Sequence, residues 1–287
     1  MKTYIKAVIP VAGFGTRFLP ITKAQPKEML PVIDKPVIQY VVEEFINAGI
    51  TDILLITGRE KRALEDHFDK SNDLEMLLKE KGKLDLLNKI EKISDIDLFY
   101  VRQKERKGLG DAVLHAENFI DDNPFIVHVG DTILVSEKNP LEELIGVYGK
   151  YKKPVILFEK VGIEDVERYG IIDANEIKNG VYKINSLVEK PKKEQAPSNM
   201  AIIGVYLFNK KIFDCIRKTK PGYGGEIQLT DAINLLLDEE EVYACEFKGK
   251  RYDIGDPYLW LKANIEFALK RDDLKDDVRE FIKSLKL

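Results

Sequence analysis

The residues that most constrain this chain follow its first strand. An apolar run from Tyr4 to Val11 empties into Gly13, Gly15, Arg17, Lys23 and Lys27, and Pro20, Pro26 and Pro31 interrupt what comes next. Proline removes a backbone donor and turns the residue before it away from helix. Residues 16 to 35 therefore cannot supply the helix that usually follows a first strand. Two common phosphate-binding arrangements fall with it. The dinucleotide pattern needs a third glycine and an immediate helix, and no G-x-x-x-x-G-K-[S/T] segment occurs. What remains is a long loop at the C-terminal end of a strand, the place where open α/β sheets bind ligands. Gly13 and Gly15 would let backbone N–H groups approach a base and its phosphates. Arg17 would meet a polyphosphate with a bidentate fork and Lys27 as a point charge. A glycine turn beside surface lysines fits the same residues, but loops of more than about 15 residues are usually functional or disordered.

The rest of the chain alternates short apolar runs with helical patterns. Strands are expected at 6–11, 52–57, 97–101, 125–129, 154–159 and 201–208. "PVIQYVVEEFINAGI" reads as a helix with Pro36 in its first turn and Gly49 as its terminator. "GLGDAVLHAENFI" reads as another. This βαβα order predicts an α/β fold with a mostly parallel sheet covered by helices. Residues 60 to 95 are charged, with leucines at helical spacing. They read as a solvated amphipathic helix pair, or as an inserted hairpin that contacts another copy. After residue 150, short β segments separated by turn signals extend the sheet. No Pro/Gly/Ser linker divides the halves, so one domain is expected over residues 1–287. The tail reads as one or two amphipathic helices.

The 287 residues carry a net charge of −4. That balance speaks against a nucleic-acid coat or a polybasic membrane binder, so an anionic ligand must be met by a local cluster of cations. A chain of this length buries roughly 75% of its unfolded surface without a staple. Cys215 and Cys245 form no C-x-x-C pair, which favours a reducing compartment and disfavours zinc. No apolar run approaches a membrane span, and the strand-like start leaves no room for a signal peptide. A cytoplasmic location is the expectation.

The segment "PVAGFGTRFLPITKAQPKEMLPVIDKPVIQY", with "GLG" and "EIQLTDA" further on, resembles the sugar-1-phosphate nucleotidyltransferases. Within them it is most similar to the bacterial-type uridylyltransferases that act on UTP and glucose 1-phosphate. The resemblance runs from residue 6 to about 270. It implies the Rossmann-like nucleotidyltransferase α/β/α sandwich, a mixed and mostly parallel sheet flanked by helices, with a nucleotide part over about 1–135, a sugar-phosphate part over about 136–270 and C-terminal helices over about 256–287. It implies UTP and glucose 1-phosphate as substrates, UDP-glucose and diphosphate as products, Mg²⁺ as cofactor, and a homo-oligomer, dimer or tetramer. It places Ala12, Gly13 and Gly15 against the nucleotide and Gln103 and Gly108 on the base edge. An amide suits the O4/N3 edge of a pyrimidine because it offers both a donor and an acceptor. One departure is Asp111, where this branch often has histidine.

By the same resemblance Asp131, just past a buried strand, and Asp253 hold Mg²⁺, an ion that takes few protein oxygens and completes its shell with phosphates and water. "GDT" around Asp131 is closer to thymidylyltransferase wording than to the "DD" of many uridylyltransferases. Asp256, directly before Pro257, reads as a helix N-cap. Glu189 would take sugar hydroxyls and Lys190 the sugar phosphate, with Gly170 and Glu226 beside the sugar. Glu226 also reads as an acidic first-turn residue favoured by the helix dipole. His115 and His128 read as satisfied core residues. A site of Arg17, Lys27, Lys190 and carboxylates, with no Ser–His or Cys–His pair, suits a phosphate nucleophile. Its second pKa lies near 6, so it needs no general base. Glucose-1-phosphate thymidylyltransferase and a non-catalytic nucleotide-sugar sensor are the rival readings.

Overall fold

A computed structural model describes residues 4–285. The first strand, β1 (Lys6–Pro10), leads into a loop that contains only single 3-10 turns, at Thr16–Phe18, Ile21–Lys23 and Lys27–Met29. The prolines thus do what their chemistry requires. The loop closes in a two-residue hairpin, β2 (Pro31–Val32) and β3 (Lys35–Pro36), before α1 (Val37–Asn47). Pro36 stands one residue ahead of the first turn of α1, at its N-cap. Gly49 ends the helix as expected: with φ 75 it donates to the Ile46 carbonyl, and Ile50 donates to that of Phe45, a Schellman closure.

The chain continues through β4 (Ile53–Thr57), α2 (Arg62–Phe68), α3 (Asn72–Glu80), α4 (Leu84–Ser94) and β5 (Leu98–Arg102). Then come α5 (Leu109–Leu114), α6 (Glu117–Ile120), β6 (Phe125–His128), β7 (Thr132–Val135) and α7 (Pro140–Tyr151). The second half holds β8 (Val155–Lys160), β9 (Gly170–Lys178), β10 (Val181–Glu189), β11 (Met200–Phe208), α8 (Lys211–Lys218), α9 (Leu229–Leu237), β12 (Tyr243–Glu246) and β13 (Lys250–Asp253). The tail is two helices, α10 (Pro257–Ala268) and α11 (Lys275–Ser284).

One nine-stranded sheet runs through both halves in the order β5-β4-β1-β6-β11-β8-β12-β10-β9. It is mixed, as the sequence predicts, but its parallel character is local. β5, β4, β1 and β6 are all parallel. Past β6 only β12 and β8 pair in parallel, and the other contacts are antiparallel. For β9 and β10 the cause is connection length. Helical crossovers join β1, β4, β5 and β6, whereas Asn179 (φ 54) and Gly180 (φ 78) form a two-residue turn between β9 and β10, which only antiparallel strands can accept.

Strand residues alternate between two apolar layers. Val8, Leu54 and Ile56 face α5, α8 and α9, while Ile9, Ile53 and Leu55 face α1, α2 and α7. This is the α/β/α sandwich. β11 bends where Gly204 (φ 82) interrupts its register with β8. A Cβ at Gly204 would lie 2.4 Å from a Val129 methyl, so the crossing of β11 beside the end of β6 depends on that glycine. The segment 60–95 forms helices that bury little: α3 buries Leu78 and α4 buries Leu87, while Leu74, Met76, Leu77, Leu84 and Leu86 stay exposed.

Candidate active site

The loop after β1 has no sheet of its own, so long-range contacts hold it. Phe18 is buried edge-on against Trp260 of α10, whose indole N–H donates to the Pro31 carbonyl at 2.8 Å. Asn264 accepts from the Ile33 N–H at 2.8 Å. Gly15 takes φ 67, and its carbonyl accepts from the Thr22 hydroxyl at 2.8 Å. Beneath the loop, Glu28 and Lys61 form an ion pair at 2.8 Å with side chains 2% and 5% exposed. Burial pulls the Lys61 ammonium down, and the Glu28 carboxylate opposes that. The pair pins the turn that carries Lys27.

Lys27 reaches across to Asp131 and forms an ion pair with it. Burial would lower the Lys27 ammonium, but Asp131 first and then Glu28 hold it above the ordinary lysine range. Burial would raise Asp131, and Lys27 holds it below the usual carboxylate range. A small second sheet brings Asp253 alongside. β13 pairs antiparallel with β7 so that Asp253 faces Thr132, and the Ile254 N–H donates to the Asp131 carbonyl at 2.8 Å. Burial, then the Asp131 charge, pushes the Asp253 carboxyl upward. Two crowded, poorly hydrated carboxylates have the chemistry that Mg²⁺ would need, since that ion takes only one or two carboxylates beside phosphates and water. No cluster of three or more His, Cys, Asp or Glu occurs among the described residues.

The second half supplies strand ends. Glu189 closes β10 opposite Gly170 of β9, and Lys190 follows at φ 44 with its N–H donating to the Tyr169 carbonyl at 3.0 Å. Glu189 accepts from the Thr230 hydroxyl at 2.6 Å. Lys190 Nζ lies 3.5 Å from Glu189 and 5.1 Å from the Tyr223 ring centre. Arg17 lies at the rim, with one N–H on the Gly255 carbonyl at 3.3 Å.

Two adjoining cavities, of about 500 and 260 Å³, gather these groups. The larger is lined by Gly13, Gly15, Arg17, Lys27, Asp131, Gly170, Glu189, Lys190, Glu226 and Asp253. The smaller is lined by Ala12, Gln103 and Gly108, and it shares Gly13, Lys27, Asp131 and Glu226 with the first. Every residue that the resemblance set against nucleotide, sugar, phosphate or metal thus opens on this connected space, whereas Lys23 and Asp111 do not line it. Gly108, at φ 109 and ψ 178, lets the base-side loop touch the "EIQ" segment; a Cβ there would sit 2.7 Å from the Ile227 carbonyl.

One placement needs correction. Glu226 is not in the first turn of a helix: α9 starts at Leu229, Gln228 is its N-cap, and Glu226 is extended at φ −100, ψ 154. The dipole explanation therefore lapses, and Asp231 holds the first-turn acid position. Asp256 is the expected N-cap, accepting from the Leu259 N–H at 3.0 Å. His115 Nδ1 pairs with the Asp111 carbonyl at 2.8 Å. His128 is only half satisfied: Nδ1 meets the Val129 carbonyl, while buried Nε2 has no partner and lies 3.8 Å from Glu44.

Sequence reasoning missed Arg251 and Arg106. Arg251 is buried against Glu159 (2.6 Å) and Tyr169, 3.7 Å from Asp253. Its place two residues before Asp253 on a strand puts both on one face, a signal that was present. Arg106 stacks on Phe14 at 3.6 Å and donates to the Ala12 carbonyl at 2.7 Å. Nothing local marks that pair.

The nucleotidyl transferase family model matches residues 6–268. A Staphylococcus saprophyticus UTP–glucose-1-phosphate uridylyltransferase 2 is 51% identical over 288 residues, covering 100% of both chains. Among solved structures, a UTP-bound UGPase from Acinetobacter baumannii superposes with a TM-score of 0.91 at 37% identity, covering 99% of this chain and 100% of that one. A UDP-glucose pyrophosphorylase complexed with UDP-glucose superposes with a TM-score of 0.87 at 42% identity, covering 94% of this chain and 100% of that one. With its loop, paired carboxylates and strand-end lysine in this arrangement, the chain belongs to the nucleotidyl transferase family.

Proposed function

We propose that this protein transfers the uridylyl group of UTP to glucose 1-phosphate, giving UDP-glucose and diphosphate. One observation carries the reading: three cations from both halves, Arg17, Lys27 and Lys190, open with two crowded carboxylates on a single cavity in a chain whose full-length relatives bear that activity in their names. A phosphate oxygen of glucose 1-phosphate attacks the α-phosphorus of UTP in line. A P–O bond forms there, the bond to the β-phosphate bridging oxygen breaks, and diphosphate leaves with its electron pair. The nucleophile is already an anion at neutral pH, so no side chain has to take a proton. Catalysis then rests on alignment and charge stabilisation.

Lys190, fixed at the end of β10, would neutralise and orient the incoming phosphate, and Glu189, Gly170 and Glu226 would face the sugar. Arg17 and Lys27 would hold the departing diphosphate. Ala12, Gly13 and Gly15 would approach the nucleotide, and Gln103 and Gly108 would read the O4/N3 edge of the base. Asp131 and Asp253 would hold Mg²⁺, which when bound offsets charge on the α-phosphate and attacking oxygens. Lys27 now stands on Asp131, so the triphosphate would draw Lys27 away as it arrives and leave that carboxylate for the metal.

We extend the reading to a cytoplasmic homo-oligomer, dimer or tetramer. Both cysteines are free and buried, as suits a reducing compartment, and the exposed leucines of α3 and α4 suit a contact with a second copy. No helix among the described residues is long and apolar enough to cross a membrane. A diphosphate-release screen over four nucleoside triphosphates and several sugar 1-phosphates, with and without Mg²⁺, tests the proposal. The expected result is Mg²⁺-dependent release that is fastest with UTP and glucose 1-phosphate. A faster rate with dTTP would reassign the base, and silence under every condition would reject catalysis.

A further inference from the structure

Gln103 is buried, 4% exposed, in the wall of the smaller cavity. A side-chain amide accepts at one end and donates at the other, and its neighbours decide which end faces where. Here both inner neighbours are acceptors. Nε2 donates to Asp111 Oδ2 at 2.7 Å and to the Gly108 carbonyl at 3.2 Å. Oε1 accepts nothing from the described residues and is not among the sealed, unpartnered polar atoms. Turning the amide over would set Oε1 against a carboxylate and a carbonyl together, which strands a buried acceptor. Asp111 supplies the shorter of the two contacts, and it stands where the family often has histidine.

We propose that Asp111 is a positioning residue that selects the base. It locks Gln103 so that an acceptor, never a donor, faces the nucleotide. The lock admits a pyrimidine with a proton on N3, uracil or thymine, and rejects cytosine, whose N3 is itself an acceptor. Two acceptors face to face leave one buried lone pair unpaired, and a site built for a hydrogen bond discriminates strongly against a partner that cannot make it. The inference rests on the proposed reading in which Gln103 meets the N3 edge. It says nothing of uracil against thymine, which share that edge.

The experiment compares kcat/KM for UTP, CTP and dTTP in the wild type and in Asp111→Asn, Asp111→Ser and Asp111→Glu. Asparagine and serine can each accept or donate, so they remove the shorter of the two contacts that hold the amide and leave only the longer one, to the Gly108 carbonyl at 3.2 Å, against its turning. Both variants are expected to raise CTP use relative to UTP by about tenfold or more, with the UTP to dTTP ratio unmoved. Glutamate keeps an acceptor-only group and is expected to retain the discrimination. Each ratio is taken on one preparation, so loss of folded enzyme cancels. Wild-type discrimination against CTP in both Asp111→Asn and Asp111→Ser would overturn the role of Asp111. A wild-type enzyme that uses CTP as readily as UTP would instead overturn the base reading beneath it, so the two failures are distinguishable.

Discussion

The two halves of the molecule hold their ligand groups by different means. Among the described residues eleven polar or charged ones are buried as whole residues; eight precede residue 136, and the charged ones, Lys6, Glu28 and Lys61, are all among them. The described second half buries only Thr219, Gln228 and Thr230 in that class. The reason lies in what carries the site. In the first half it is a loop that no ladder can align, so buried ion pairs and the C-terminal helix α10 align it. In the second half Glu189, Lys190 and Gly170 sit on paired strand ends, and the backbone ladder does the same work. The loop site therefore depends on polar burial for its geometry, whereas Glu189, Lys190 and Gly170 do not; Asp253, a strand end with Arg251 buried beside it, stands between the two cases.

The sharpest way to break that comparison is to remove one partner of the buried pair. Lys61→Met leaves the Glu28 carboxylate uncompensated and is expected to cost about 3–5 kcal/mol of unfolding free energy by urea denaturation. The double variant Glu28→Leu/Lys61→Met is expected to recover most of it. A single-variant loss below about 1 kcal/mol would show that the pair does not anchor the loop.

Strand-end groups are expected to behave in the opposite way. Lys190→Ala should lower turnover about 10²- to 10³-fold at saturating substrate with little change in urea midpoint. Arg17→Ala, though on the loop, should match it, since Arg17 is exposed and contributes charge more than packing. Near-native rates in both variants would remove these residues from the mechanism.

Glu44 and His128 extend the contrast to pH. Burial raises the Glu44 carboxyl to about 8 and lowers the His128 ring to about 4. A native pKa raised above the unfolded one means that the folded state holds the extra proton. The Glu44 contribution is therefore complete below its ordinary 4.5 and is lost as pH rises through about 8. His128 has the opposite sign: its contribution is complete above 6.5 and is lost as pH falls through about 4. Glu44→Gln is expected to flatten the decline between pH 5 and 8 and to stabilise the protein at pH 9 by about 2 kcal/mol. An unchanged stability–pH curve would mean that Glu44 is hydrated in solution.

The smallest effect belongs to the second half. Thr230→Val removes one donor to Glu189, and it should cost about 1 kcal/mol of stability while raising KM for glucose 1-phosphate more than it lowers kcat. A loss as large as that of Lys61→Met would erase the distinction between the halves.

Much of this was legible before the fold was known, because it depends on neighbours in the chain. Short apolar runs placed the strands from 6–11 to 201–208 within a residue or two. Three prolines kept helix out of residues 16 to 35, and the Asp256–Pro257 pair marked the start of α10. The motif residues open on two adjoining cavities because nearly all lie at a strand end or in the loop that follows one; Glu226, between α8 and α9, is the exception. Less was legible where partners lie far apart in sequence. The parallel majority expected for the sheet ends at β6 because strand direction follows connection length and turn geometry, and Glu226 fell outside its helix because an N-terminus is placed by packing as well as by pattern.

Local spacing alone therefore determined the main strands and helices, the helix-free loop, and Arg17 and Lys27 as groups that could serve a phosphate, while the resemblance supplied Lys190, Asp131 and Asp253. Tertiary structure decided which charges meet: Lys27 on Asp131, Glu28 under Lys61, and Asp111 behind Gln103, separated by 104, 33 and 8 residues. The physical reason is that backbone periodicity is a property of adjacent residues. The protonation and orientation of a side chain depend on whatever charge the fold brings within a few ångströms, and no residue records that in its own neighbourhood.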